Sequence, residues 1–132
     1  MEVRNVALMA NQSVVSIIDD DQSVRRATGS LVRSLGWEVR TYESGEEFLS
    51  AERIADVACI ISDVQMPGIS GLEMYEMLLE RGVAPPVIFI TSFPSEATHR
   101  QAMKLGAICV FSKPVDPVQI ELRLDDIASP SA

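Results

Sequence analysis

A chain of 132 residues suffices for one compact domain with its own core and leaves little room for a second. With 47% apolar and 23% charged residues it has the composition of a soluble globular domain and lies outside the disordered class. A net charge of −8 and a pI near 4.5 set the molecule against phosphate backbones and anionic bilayers, so direct nucleic-acid or membrane binding is not expected.

Residues 1–13 read as an N-terminal extension: a short apolar patch follows an early Glu2, and no apolar run approaches the length of a membrane span, so neither signal peptide nor anchor is expected. Residues 14–18 form a run rich in β-branched side chains that stops at Asp19-Asp20-Asp21, as a strand buried on both faces would. Over 22–35, Val24, Ala27, Leu31, Val32 and Leu35 recur at helical spacing, with Ser23 able to cap the start and Gly36 suited to the end.

The alternation repeats. Residues 37–42 are extended, 44–50 helical with a Ser44 to Glu47 capping box, and 57–62 a second apolar strand with Asp63 at its end. A Pro67-Gly68 loop leads into a helix over 70–81, with Leu72, Tyr75, Met77, Leu78 and Leu79 mostly on one side and Gly82 as its stop. Residues 87–91 form a fourth strand, 96–105 a helix closed by Gly106, 108–111 a fifth strand and 117–127 a last amphipathic helix, leaving 129–132 as a frayed tail. Cys59 and Cys109 lie in apolar runs and are expected buried and reduced, and Met66, Met74, Met77 and Met103 are expected mostly in the core.

Five strands alternating with five helices specify right-handed parallel crossovers and an α/β three-layer sandwich, whose functional crevice lies at the carboxyl ends of the strands. Asp19, Asp20, Asp63, Thr91 and Lys113 all fall at or just after strand ends. Three carboxylates converging there, with no arginine near, would repel one another unless a hard divalent cation sat among them, and oxygen donors without His or Cys suit Mg²⁺ or Mn²⁺. A carboxylate can attack phosphorus, and the Lys113 ammonium and Thr91 hydroxyl supply positive partners for phosphoryl oxygens. Asp63 is the candidate nucleophile because it directly follows the central strand. Lys113-Pro114 reads either as an ordinary loop dipeptide or as a cis bond that aims the lysine inward. His99, in mid-helix away from this rim, is expected at the surface.

Four motifs in order, Ile18-Asp19-Asp20-Asp21, Asp63-Val64-Gln65-Met66-Pro67-Gly68-Ile69-Ser70-Gly71, Ile90-Thr91-Ser92 and Ser112-Lys113-Pro114, resemble the receiver family of bacterial two-component response regulators. Gly45-Glu46-Glu47-Phe48-Leu49 and the intervals between motifs are similar to its nitrogen-fixation regulator (FixJ-like) branch. The resemblance runs over about residues 14–127, placing a receiver domain at 14–128, and implies a flavodoxin-like doubly wound five-stranded parallel sheet in the order 2-1-3-4-5. It further implies phosphotransfer to Asp63 from a sensor histidine kinase or histidine phosphotransfer protein in the cytoplasm. Asp20, Asp63 and the Gln65 backbone carbonyl would bind Mg²⁺, Asp19 would act through metal-bound water, Thr91 would bond the phosphoryl group, and Lys113 would pair with Asp63 and then with phosphate. Such a domain is a phospho-acceptor switch that catalyses its own phosphorylation and dephosphorylation, not an enzyme acting on a separate substrate, and is a monomer or a phosphorylation-dependent dimer. The kinase would dock on the first helix and the loop after the fifth strand, with exposed Arg25, Arg26 and Arg33 setting specificity.

Three features depart from the family pattern. Val110 stands where an aromatic switch residue is usual, and strand alternation points Phe111 to the other face, so either a smaller side chain carries the switch or the output surface differs. Gln65 and Phe93, two residues beyond Asp63 and Thr91, are similar to positions that tune the hydrolytic water, and a phosphoryl lifetime of minutes or longer is expected. No helix-turn-helix or basic region follows the last helix, so the receiver is either stand-alone or excised, with signalling by contact to a downstream protein. A receiver-like interaction module that works without phosphorylation is the alternative; a phosphohydrolase is disfavoured because Gln65 occupies the place of its second Asp.

Overall fold

The computed structural model describes residues 13–128, so most of the N-terminal extension and the 129–132 tail lie outside the described residues. Strands β1 (Val14–Ile18), β2 (Glu38–Tyr42), β3 (Val57–Asp63), β4 (Val87–Thr91) and β5 (Cys109–Ser112) alternate with helices α1 (Gln22–Ser34), α2 (Gly45–Leu49), α3 (Gly71–Arg81), α4 (Glu96–Lys104) and α5 (Pro117–Ala128). A 3-10 turn, Ile54–Asp56, precedes β3. The strands form one parallel sheet in the order β2-β1-β3-β4-β5, as expected.

Strand alternation divides the core. Ile18, Phe48, Ile60, Leu72, Met74, Tyr75, Leu78, Phe89 and Ala102 pack on the face covered by α2, α3 and α4. Val15, Ile17, Val32, Cys59, Ile61, Ile88, Ile90, Ile120 and Leu124 pack on the face covered by α1 and α5. The inner strands β1, β3 and β4 are buried along their whole length. The edge strands β2 and β5 are only partly covered, which is why their sequences are less uniformly apolar.

Several local details differ from expectation. Asp21, not Ser23, caps α1: its carboxylate accepts the N–H groups of Ser23 and Val24, because Asp21 already sits in the extended conformation that a cap requires. At α2 the box is half formed, since Ser44 accepts from the Glu47 N–H while the Glu47 carboxylate takes the N–H of Glu43. The complete capping box lies at α3, between Ser70 and Glu73. On α3, Met77 and Leu79 turn outward while Met74 takes the inward position. Of the four methionines expected mostly in the core, Met74 is fully buried and Met66 packs against the core edge, while Met77 and Met103 are exposed, so only half of them join it. Cys59 is buried and Cys109 half-buried, both free. His99 is exposed.

Candidate functional site

Each rim residue is placed by a strand end. Asp19 and Asp20 leave β1, Asp63 closes β3, Thr91 closes β4, and Lys113 follows β5 with its N–H on the Thr91 carbonyl at 2.9 Å. Carboxylate oxygens of Asp19, Asp20 and Asp63 lie within 4.8 Å of one another. Asp19 is fully buried, Asp63 is 4% exposed, and Asp20 opens to solvent. The Lys113 ammonium bridges the two buried acids, 3.0 Å from Asp19 Oδ2 and 3.2 Å from Asp63 Oδ2, and the Lys113–Pro114 bond is cis.

Burial pushes the Asp63 carboxyl above its ordinary value and the Asp19 charge adds to this, while Lys113 and the Gln65 backbone N–H oppose it. For Lys113, burial pulls the ammonium downward, but its bonds and charge interactions with Asp19 and Asp63 outweigh that, so it holds its proton more tightly than a free lysine. Asp63 Oδ1 is buried with no hydrogen-bond partner among the described residues. An orphaned anionic oxygen beside two further carboxylates fits a hard divalent cation, which takes oxygen donors and offsets their repulsion.

Thr91 is fully buried. Its hydroxyl donates to Gln65 Oε1 at 2.9 Å and accepts the Phe93 N–H at 3.0 Å, while the Phe93 ring is 71% exposed. Val110 packs on the Phe89 side of the sheet and Phe111 on the opposite side, as alternation required.

Three contributors to the site escaped sequence reasoning. Arg25 contradicts the expectation of no arginine near: its Nη1 donates to the Asp19 carbonyl at 2.7 Å and its side chain is only 12% exposed, so it is not a free docking residue either. Its place in the first turn after the acidic run was the available signal. Glu46 reaches across from α2 to accept the Ile69 N–H at 3.1 Å, tying down the loop after Asp63. Gly71 lies against the Asp63 backbone, where any Cβ would collide with the Asp63 carbonyl oxygen.

Comparison with known proteins gives a consistent picture. The model of the response regulator receiver domain matches residues 15–125. The chain is 42% identical over 106 residues to the transcriptional regulatory protein FixJ of Azorhizobium caulinodans, covering 80% of this chain and 50% of that protein. To the transcriptional regulatory protein TdiR of Thauera aromatica it is 38% identical over 104 residues, covering 79% of this chain and 46% of TdiR. The chain therefore spans about half the length of these relatives. Among solved structures, FixJ-N superposes with a TM-score of 0.77 at 27% identity, over 90% of this chain and 95% of that one.

Proposed function

This chain belongs to the response regulator receiver domain family, and on that premise we propose that it accepts a phosphoryl group on Asp63 from a sensor histidine kinase or a histidine phosphotransfer protein. The reaction is Mg²⁺-dependent, with Mn²⁺ able to substitute. The observation that carries this reading is the buried Oδ1 of Asp63, without a hydrogen-bond partner among the described residues, beside Oδ2 paired to Lys113: one oxygen is free to attack and the other is held. Oδ1 forms the bond to phosphorus while the phosphorus–nitrogen bond of the donor phosphohistidine breaks, its electron pair returning to the imidazole.

Asp20, Asp63 and the Gln65 backbone carbonyl would hold the cation, with Asp19 acting through a bound water. When bound, it would offset the charge of the carboxylates and of the incoming phosphoryl oxygens. Lys113 then transfers one contact from Asp63 to phosphate, and Thr91 donates its hydroxyl to a phosphoryl oxygen. The domain is thus a switch that catalyses its own phosphorylation and dephosphorylation, acts in the cytoplasm through a downstream protein contact, and is a monomer or a phosphorylation-dependent dimer. Residues 14–128 form the receiver, 1–13 an extension and 129–132 a tail. Among the described residues no helix is long and apolar enough to cross a membrane.

Intact mass after incubation with acetyl phosphate tests this directly. One phosphoryl group should be gained with Mg²⁺, and none with chelator or in Asp63→Asn. No gain in any condition would favour the second reading, an interaction module independent of phosphorylation, for which Val110 in place of the switch aromatic is the specific support. The lifetime expected from Gln65 and Phe93 is minutes or longer, and loss of the added mass within seconds would remove that role from them.

A further inference from the structure

Gln65 meets the site through its side chain. It lies two residues after Asp63 in the chain, and its side-chain oxygen takes the hydroxyl proton of Thr91 at 2.9 Å. A threonine hydroxyl has one proton to give, and here the oxygen also accepts the Phe93 N–H at 3.0 Å, which fixes where that proton points. Thr91 is fully buried and Gln65 partly so, which shields the bond on the threonine side. Thr91 therefore cannot donate toward Asp63 until it leaves Gln65. No aromatic ring on β5 follows that movement, since Val110 occupies the Thr91 side and Phe111 faces away.

We propose that the Gln65 side chain is a positioning residue, a polar latch that holds the Thr91 hydroxyl away from the acceptor and sets how much of the unmodified protein is ready for phosphorylation. This rests on Asp63 being the acceptor, but the latch itself exists in the unmodified chain and can be read there. The Gln65 side-chain oxygen and the Thr91 hydroxyl are paired while the latch is closed; on phosphorylation the hydroxyl exchanges the Gln65 oxygen for a phosphoryl oxygen, and the freed amide turns to solvent. A neutral acceptor competes with an anionic one for the same proton, so the latch biases the equilibrium without blocking it.

The test has two arms. In unmodified, metal-free protein, the three-bond NMR couplings that report the Thr91 side-chain rotamer should show one rotamer in the parent chain and averaging in Gln65→Met, which keeps length and volume but lacks the acceptor. Gln65→Glu, which keeps an acceptor oxygen at the same reach, should restore the single rotamer. In the second arm, Gln65→Met should take a phosphoryl group from acetyl phosphate about two- to tenfold faster than the parent, the worth of one side-chain hydrogen bond. That gain should vanish in a Thr91→Val background, where there is no hydroxyl to release. A rate gain that persists in Thr91→Val, or a Thr91 rotamer indifferent to Gln65→Met, would overturn the latch. If the parent chain takes no phosphoryl group at all, the acceptor role of Asp63 falls and the couplings alone judge the latch.

Discussion

Asp63 is pulled both ways: burial and the Asp19 charge favour its protonated form, and Lys113 favours the carboxylate. The first pair prevails, so the folded chain binds this proton more tightly than the unfolded chain does. The contribution to stability is fully present below the ordinary carboxylate value and is lost as pH rises through the raised one. At neutral pH without metal, Asp63→Asn should melt higher than the parent by a few degrees, on the order of 1 kcal/mol, the scale of a screened like-charge repulsion. Lys113 keeps Asp19 as its partner at 3.0 Å, so the substitution leaves no ammonium unpaired. The gap should close as pH falls toward the ordinary carboxylate range. Thermal melts of both proteins in chelator across that range check this, and a parent more stable at neutral pH would contradict it.

At the scale of elements, the start of α3 is what fixes the end of β3. The Gly71 N–H bonds the Val64 carbonyl at 2.9 Å, and the helix start sits on the Asp63 backbone with no space for a side chain. The Ser70–Glu73 capping box and the Glu46 bond to Ile69 hold the same junction from two other sides. Gly71→Ala, ordinarily favourable inside a helix, should here destabilise by about 1–3 kcal/mol, because β3 or α3 must shift. The Asp63 carboxylate moves with its backbone, so calorimetric titration should also show weaker Mg²⁺ binding. A variant of equal or higher stability in urea with parental Mg²⁺ affinity would show that the close approach is tolerated.

For the molecule as a whole, a cation held at the acidic rim, as proposed above, would make stability depend on its concentration. A ligand that binds only the folded state raises its stability by about 1.4 kcal/mol for each tenfold increase beyond its dissociation constant. Millimolar Mg²⁺ should therefore raise the melting temperature stepwise with concentration, beyond any effect of a monovalent salt at equal ionic strength on this net charge of −8. The rise should disappear in Asp20→Ala, the open member of the cluster. An undiminished rise in that variant would move the cation elsewhere on the acidic surface.

Much of this was fixed by order along the chain. Apolar runs of strand length, amphipathic stretches and their stop residues determined five parallel strands and the rim on which Asp19, Asp20, Asp63, Thr91 and Lys113 meet, because a doubly wound sheet brings all strand ends of one polarity together, while the order of the strands followed from the resemblance of four motifs to the receiver family. Alternation also determined that Val110 and Phe111 face opposite layers. Contacts between elements were not legible: the arginine on the Asp19 carbonyl, Glu46 on the loop after Asp63, Gly71 against β3 and the Gln65 bond to Thr91 join residues up to 26 positions apart. Whether Met77 and Leu79 turn out while Met74 turns in depends on how α3 is rotated against the sheet. Periodicity is a property of one segment and survives in the sequence, whereas rotation, close approach and hydrogen-bond partnership are settled only when two segments pack.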